Sequence, residues 1–460
     1  MSDSLIQRVT RLISEPVTLS PAAAIQVRRA FEDTLAVTYA GWDEPVTRKS
    51  AGIVPGGAVL RPGGAVPENL EHTAFVHGVA AHALDYDDVH MTSTTHPSIP
   101  IVSALIAARH LRPQSAGRMA NAYAVGLAVN LALGRVLGFP HYEKGWHATT
   151  TIGPLAAAAA VAHYLELDAQ AAAHALALAT SQSGGMQRNF GTMAKPVQAG
   201  FSASAGYRAA ILAQAGITAD ADTFAAKGFF DLYGGDRIPV SVESIALDLS
   251  VEGVCVKLYP CCYMSHRPAG AALQARQVMQ AKGIANDALK TVEIVGAKGV
   301  FTALRVKEPH TGAEGKFSGP YVVACALVDG QVGLSHFTDE AVRRSDLRAM
   351  TSRVTLVERN AASEARATGD GGQIELIGRD GAGKVLVQTE QRAFPGSPDS
   401  PPTDAQLADK VRDCLDYYRQ LSGVMVSYDE FERGIDSLFL AQGAARSATA
   451  QSQRQRAAGD

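Results

Sequence analysis

A segment between residues 82 and 97 concentrates acids and bases that could move protons. Its ionisable residues are Asp85, Asp87, Asp88, His82, His90 and His96. Burying a lone charge is expensive, so such a dense cluster requires partners and is more typical of a site than of a solvated face. The segment is therefore a candidate site for proton transfer.

Three later blocks place reactive side chains where a predicted loop runs into a predicted helix. His147 follows a Gly-Trp pair, Lys195 directly precedes a proline, and His266 lies at the start of a predicted helix. Side chains and free backbone N–H groups at such transitions can face an anionic ligand. Each residue could also be an ordinary capping, core or surface residue, and it is their joint pattern that favours a site.

Two other kinds of site are disfavoured. Residues 378–384 have the spacing of a phosphate-binding loop, but Val385 follows where a serine or threonine is needed, which favours a hairpin turn. The acids and histidines of residues 82–97 could hold a metal, but the chain lacks the His-Asp dipeptide typical of helical phosphohydrolases. Cys261 and Cys262 are adjacent rather than spaced as in zinc sites. We therefore expect no catalytic metal.

The elements that position these residues predict a mainly α fold in two parts. Residues 1–245 are alanine-rich and helical in pattern, and helix returns at 403–440, so these segments are expected to form a large all-α domain. Residues 246–395 mix β-branched strands with helices, which predicts a smaller α+β domain. Helical predictions include residues 153–167, 201–216 and 222–227. The tail from residue 441 to 460 is predicted to be disordered.

Composition excludes several classes of protein. With 460 residues, 47% hydrophobic and 19% charged, the chain is globular, and its net charge of −3 gives no basic surface for nucleic acid. It lacks a signal-peptide pattern, and no unbroken apolar run of membrane-spanning length is present, so no membrane span is expected. Five cysteines without a regular framework suggest a reducing, cytoplasmic location.

Taken together, these motifs resemble the MmgE/PrpD family, whose members include 2-methylcitrate dehydratase, cis-aconitate decarboxylase and iminodisuccinate epimerase. The matching blocks, in the family's order, are residues 81–88 with 95–98, residues 145–147, residues 191–196, and residues 257–262 with His266. The resemblance runs from about residue 20 to 440. It implies a homodimer and catalysis without metal or organic cofactor, on a small carboxylate substrate.

The resemblance also implies that the smaller α+β domain is a lid, and that the pocket is made of Asp85, His96, His147, Lys195 and the lid residue His266. Within the 82–97 segment it therefore singles out Asp85 and His96, and the other four ionisable residues are expected to support them, cap the helix or shape the loop. Proton removal next to a carboxylate needs a base and nearby positive charge, which these residue types supply. His96 and His147 would serve as base and acid, and Asp85 would orient a histidine or act as the base. Lys195 would hold a substrate carboxylate and His266 would close over it.

Two further residues, Arg188 and Lys257, are candidates for binding a substrate carboxylate. We expect a lyase, either a dehydratase or a decarboxylase, acting on a small di- or tricarboxylate. An epimerase of an amino- or imino-dicarboxylate and a non-catalytic binding protein remain alternatives.

The chain also departs from the family's usual pattern. Gln198 replaces a usual histidine and Gly270 a usual aspartate, while Ile99 stands where dehydratases tend to have aspartate and decarboxylases glycine. No counterpart of a decarboxylase pocket tyrosine is evident near Phe301. These changes leave the substrate open.

Overall fold

A computed structural model describes residues 3–54, 68–112, 115, 117–234, 240–359 and 372–439. The predicted disordered tail, residues 441–460, lies outside the described residues. The fold is mainly α with a smaller α+β part, as the sequence predicts.

Helices dominate the first part of the chain. They are α1 (Leu5–Ser14), α2 (Pro21–Gly41), α3 (Pro45–Ala51), α4 (Leu70–His82), α5 (Ser98–Ala108), α6 (Arg118–Glu143), α7 (Ala148–Tyr164), α8 (Ala169–Thr180), α9 (Ala194–Gln214) and α10 (Phe229–Tyr233). Ser20 caps α2 by accepting a hydrogen bond from the Ala23 N–H, with Pro21 at the first helical position.

Helix packing in this part depends on small residues. Helix α7 is buried along almost its whole length, and alanine fills most of its interior. Helices α4 and α9 cross so closely that a Cβ on Gly78 would lie 2.8 Å from the Gly200 Cα. This crossing brings the end of α4 close to the start of α9. Asp85, three residues beyond α4, and Lys195 of α9 therefore lie in the same region.

Helix α6 is long and apolar enough, by length and composition, to cross a membrane. However, 83% of its most apolar window is buried, and it packs against α7 as a core helix does. The helix is interrupted at Gly138, whose φ of 57° and ψ of −168° are not helical, shortly before Pro140.

The second part combines a sheet with helices. Its elements are β2 (Val254–Cys255), which pairs with β1 (Val89–His90) of the first part, then α11 (His266–Ala281), β3 (Thr291–Ala297), α12 (Gly312–Gly315), α13 (Gly319–Asp329), α14 (Ser345–Thr351), β4 (Val354–Arg359), β5 (Ile374–Arg379) and β6 (Val385–Gln391). The four-stranded sheet has the order β4-β3-β5-β6, in which β3 pairs parallel with β4 and antiparallel with β5. Helices α11 and α13 pack together, and α11 also packs on β5 and β6.

The hairpin prediction at residues 378–384 is confirmed. Strands β5 and β6 pair antiparallel, and Asp380 Oδ1 accepts hydrogen bonds from the N–H groups of Ala382 and Lys384 across the turn. The segment therefore has the structure of a hairpin turn rather than of a phosphate-binding loop.

The chain then returns to the first part through two helices. These are α15 (Asp404–Ser422), which packs on α2, and α16 (Tyr428–Phe439), which packs on α2 and α6. One buried core contains the helices of the first part together with α15 and α16, and a second core contains the sheet, α11 and α13. The exact domain boundaries stay a prediction.

Some predicted helix positions are wrong. Residues 222–227 form turns, in which the Phe229 N–H donates to the Thr223 carbonyl and Asp231 Oδ2 accepts from the Lys227 N–H. Helices α7 and α9 begin at Ala148 and Ala194, earlier than the predicted helices at 153–167 and 201–216. Gly153 and Pro154 lie inside α7 and Gly200 lies inside α9, where tertiary packing compensates for their low helix propensity.

Candidate active site

Asp85 lies at the centre of a buried ion-pair cluster just beyond the end of α4. Its Oδ1 lies 2.5 Å from the Lys195 Nζ of α9 and 2.9 Å from the Lys257 Nζ, which follows β2. Lys257 also donates to the Asp85 backbone carbonyl at 2.8 Å. Asp85 has a left-handed φ of 53°, a costly conformation for a residue with a Cβ, and the Lys257 contacts help to hold it.

The lysines determine the charge of Asp85. Burial alone would raise the pKa of this carboxyl, but Lys195 and Lys257 outweigh burial and hold the pKa far below its usual range. Burial alone would lower the pKa of Lys257, yet Asp85 and Asp87 raise it. Asp85 is therefore ionised and a weak base. Its contacts fit a role in positioning the two lysines better than the expected roles of a base or of a partner to a histidine.

Asp87 takes the place expected for Asp85 as the partner of histidine. Its Oδ1 lies 2.9 Å from the His82 Nδ1, and its Oδ2 lies 2.9 Å from the His96 Nδ1. The His96 Nδ1 is also 2.7 Å from the backbone carbonyl of Asp88. Against the effect of burial, the two histidines hold the pKa of Asp87 well below its usual range. Both Nδ1 atoms must therefore carry protons, because these oxygens can only accept.

His147 is oriented in the same way by a neutral amide. It precedes the first turn of α7, and its Nδ1 lies 2.8 Å from the Gln198 Oε1. The Gln198 amide nitrogen donates to the Met186 carbonyl at 3.3 Å, which directs its oxygen to the imidazole. The Nδ1 of His147 therefore carries the proton, and its Nε2 holds a lone pair.

The three imidazoles form one contiguous group. The His82 ring centroid lies 4.7 Å from that of His96 and 5.9 Å from that of His147. The Nε2 atoms of His82 and His147 are buried and have no hydrogen-bond partner within the described part of the chain. Burial lowers the pKa of all three, to about 4 for His82 and well below the usual value for His147, where the Lys195 charge adds to burial. They are neutral at pH 7 and available as bases.

His266 contributes from the second part of the chain. It begins α11, its Nε2 lies 3.1 Å from the Tyr259 carbonyl, and the Tyr259 and Tyr263 rings lie 4.9 and 4.6 Å from its ring. Burial and the Lys257 charge lower its pKa well below the usual value. Its Nδ1 is buried without a partner among the described residues, and because Nε2 donates to the Tyr259 carbonyl, Nδ1 holds a lone pair.

A cavity of about 160 Å³ adjoins this cluster. Its lining residues are Gln187, Arg188, Phe190, Ala303, Arg305, Val306 and Phe317. The Lys195 Nζ lies 5.2 Å from the ring centroids of both Phe190 and Phe317, so the aromatic pair is shared by the cavity and the polar cluster. Arg188 and Arg305 are exposed at this cavity, and the predicted substrate-binding residue Arg188 therefore lies at the outside of the cluster.

Asp88 and His90, the remaining ionisable residues of the 82–97 segment, form hydrogen bonds around the site. The Asp88 carboxylate accepts hydrogen bonds from the Ser98 hydroxyl and N–H at the start of α5, and burial raises its pKa to about 7. The His90 Nδ1 lies 2.8 Å from the Ser93 hydroxyl. Their supporting role stays a prediction, and these contacts agree with it.

Ligand atoms of four residues in this cluster lie within 4.8 Å of one another, a spacing that could suit a metal: His82, Asp85, Asp87 and His96. One feature of the cluster opposes that use, since the ammonium groups of Lys195 and Lys257 already contact Asp85. The absence of a metal stays a prediction, and the donor set as arranged is better suited to holding protons.

Lys316 is a buried residue of this region that the sequence motifs did not reveal. It follows α12, and its Nζ donates to the carbonyl of Ala83, two residues before Asp85. A lone lysine in a Gly-Lys-Phe-Ser sequence gives no signal by itself, because most lysines are exposed. The sequence marked Gln198 only as a departure from the family's usual histidine, and its hydrogen bond to His147 was not predicted, although its position one helical turn after Lys195 on α9 was a usable clue.

Comparison with known proteins identifies the family. Models described as the MmgE/PrpD N-terminal domain and the MmgE/PrpD C-terminal domain match residues 14–240 and 259–422. The chain belongs to the MmgE/PrpD family. The C-terminal match includes residues 404–422, which form α15 and pack on α2 of the first part.

Two proteins similar to this chain are named as cis-aconitate decarboxylases. A cis-aconitate decarboxylase of Homo sapiens is 30% identical over 300 residues, covering 62% of this chain and 61% of its own length. A cis-aconitate decarboxylase of Aspergillus terreus is 26% identical over 355 residues, covering 70% and 71%. The chain thus spans about three-fifths of the length of the human relative.

Proposed function

We propose that this protein is a lyase that acts on a small di- or tricarboxylate by proton transfer next to a carboxylate. One observation carries the proposal: neutral imidazoles with free Nε2 lone pairs lie beside a buried group of lysines. A neutral imidazole can accept a proton at pH 7, and buried ammonium groups attract carboxylates and the negative charge that develops as a proton leaves.

His147 is the proposed base. Gln198 fixes its tautomer so that the Nε2 lone pair faces away from the amide, and the charge of Lys195 acts on the ring. In a dehydration the base takes the proton next to the carboxylate, the carbon–oxygen bond breaks with its electron pair on oxygen, and the imidazolium just formed gives its proton to that oxygen, so that water leaves. In a decarboxylation the electron pair of the broken carbon–carbon bond stays on carbon, carbon dioxide leaves, and an imidazolium returns a proton to that carbon.

Asp87 and Asp85 have separate proposed roles. Asp87 positions His82 and His96, while Asp85 spaces Lys195 and Lys257 until a substrate carboxylate arrives. His266 and Lys257 come from the second part of the chain, so the complete site forms only when both parts are together. Water exclusion by this closure strengthens every charge interaction inside.

The relatives' names favour decarboxylation, while several substitutions argue for a different substrate. Ile99 is fully buried with Ala81 and Ala199 between helices, so it shapes the wall behind the site and offers no polar contact. Phe301 is buried in the core of the second part and packs beside the sheet. We propose decarboxylation or dehydration, with cis-aconitate as the first substrate to test.

The test is incubation with a mixed pool of di- and tricarboxylates in deuterated water, followed by mass spectrometry. Loss of carbon dioxide or of water supports the proposal, and His147→Asn and Lys195→Met should abolish it. Lys384→Met is the matched control, since Lys384 is exposed on the β5–β6 hairpin. Deuterium gain without mass loss would favour an epimerase, and binding without any turnover would favour a non-catalytic protein; either would overturn the lyase.

A further inference from the structure

Lys316 is a buried cation that has no partner carboxylate among the described residues. Its relative exposure is 6%, and its one hydrogen bond to the described residues is a 3.3 Å contact with the Ala83 carbonyl. No described carboxylate oxygen lies within 4.0 Å of its Nζ. Two of its three N–H donors therefore lack partners in the described part of the chain.

The other buried lysines are paired. Lys195 and Lys257 contact Asp85, and the Lys410 Nζ lies 2.5 Å from the Asp33 Oδ1. An unpaired buried charge costs several kilocalories per mole, so it persists where it serves a ligand rather than the fold. Lys316 is thus the buried ammonium of the described residues with capacity to bind an added anion.

The surroundings place this capacity at the proposed active site. Ala83 lies at the end of α4, two residues before Asp85, and Phe317, the residue after Lys316, lines the cavity. The charged groups that act on Lys316 are Glu44 between α2 and α3, Asp85 after α4, Lys195 of α9 and Lys257 after β2. Glu44 is itself engaged, since it accepts a 2.8 Å hydrogen bond from the Tyr417 hydroxyl.

We propose that Lys316 binds a carboxylate of the substrate, and that its counter-ion is the substrate itself. This inference rests on the proposed function and adds a binding residue to it. Lys316 belongs to the second part of the chain and its amine contacts the first part, so a carboxylate bound there would link the two parts. The site thereby favours a substrate with at least two carboxylates, one near Lys195 and one near Lys316.

The titration of Lys316 supplies a distinctive readout. Burial, with the charges of Lys195 and Lys257, lowers its pKa to about 8, although Glu44 and Asp85 act in the opposite direction. The ammonium is present below that pH and is lost above it, so carboxylate binding should weaken as the pH rises through about 8. A bound carboxylate stabilises the ammonium and raises the pKa.

The experiment measures KM, and separately the binding of a dicarboxylate that is not turned over, for three proteins between pH 6.5 and 9.5. Lys316→Met should raise KM by about 10- to 100-fold at pH 7 with a smaller change in kcat, because it removes a charged hydrogen bond to the substrate. Lys316→Arg should keep much of the affinity and lose the pH dependence near 8, since arginine stays charged. Lys384→Met should match the unmodified protein.

Stability separates binding from a structural role. Without ligand, Lys316→Met should melt at or above the temperature of the unmodified protein, because it removes an unpaired buried charge. An unchanged KM, or a pH dependence retained in Lys316→Arg, would overturn the inference even if turnover is found. If no carboxylate is turned over, the proposed function fails, while the pH-dependent binding of the dicarboxylate still decides whether Lys316 binds carboxylates.

Discussion

Replacing Gln198 with glutamate should convert the neutral partner of His147 into an anionic one. In the unmodified protein the Gln198 Oε1 lies 2.8 Å from the His147 Nδ1, and burial with the nearby Lys195 keeps the pKa of His147 well below 6.5. Catalysis by neutral His147 should therefore persist well below pH 6.5. It should fall only where the imidazole becomes protonated.

The magnitude follows from the geometry of this contact. An opposite charge within 4–6 Å typically changes a pKa by about one to three pH units, and a carboxylate at hydrogen-bond distance should act at full strength. Each pH unit corresponds to about 1.4 kcal/mol of preferential stabilisation of the imidazolium. The acid limb of kcat/KM in Gln198→Glu should therefore move toward neutral pH by about one to three units.

The assay is the pH profile of kcat/KM for whichever carboxylate the unmodified protein converts. Gln198→Met is the matched control, because it removes the acceptor without adding charge. It should lower kcat at all pH values and move the acid limb slightly to lower pH, since the Gln198 hydrogen bond raises the pKa of His147. Gln198→His, which places an imidazole in the position of the amide, should keep measurable activity. An acid limb that stays in place in Gln198→Glu, with the variant folded and active, would refute His147 as the base.

Three other predictions concern the rest of the site. Asp85→Asn leaves the charges of Lys195 and Lys257 unpaired and should lower the free energy of unfolding by about 3–5 kcal/mol in chemical denaturation. Added dicarboxylate should stabilise this variant more than it stabilises the unmodified protein, and equal stability of the variant and the unmodified protein would contradict the ion-pair cluster. Dialysis against a chelator should leave turnover unchanged, because the ammonium groups at Asp85 oppose a divalent cation, and activity restored only by metal would contradict this. Arg188→Gln and Arg305→Gln should each raise KM a few-fold, about 3- to 10-fold, at low salt with little effect on kcat, since both are exposed at the cavity; a loss confined to kcat would place them elsewhere in the reaction.

Much of the fold follows from local pattern. The Ser20–Pro21 helix start, the alanine-rich helices and the hairpin at residues 378–384 are short-range features, and each was predicted from sequence. The start of α7 at Ala148 was not, because Gly153 and Pro154 lower the helix propensity of this region while packing against α6 and α9 compensates. The pairing of β1 with β2 joins residues about 165 positions apart, and a two-residue strand carries no pattern of its own.

The candidate site divides in the same way. The sequence identified the residue types of the cluster, and the structure brings Asp85, His96, His147 and Lys195 together. The sequence did not predict which aspartate contacts the lysines and which contacts the histidines, because Asp85 and Asp87 are only two residues apart. In the structure Asp85 has a left-handed backbone conformation and contacts the lysines, while Asp87 contacts the histidines. The homodimer stays a prediction.

The central claim is proton transfer between His147 and a substrate carbon at a carboxylate-binding site. Its most direct test is to follow deuterium from deuterated water into the carbon skeleton of the decarboxylated product, or of the hydrated compound when a dehydration is run in reverse, comparing the unmodified protein with His147→Asn at equal substrate saturation. We predict incorporation at one carbon and its disappearance in His147→Asn. Undiminished incorporation in His147→Asn, or decarboxylation or reverse hydration without any solvent deuterium at carbon, would contradict the proposed mechanism.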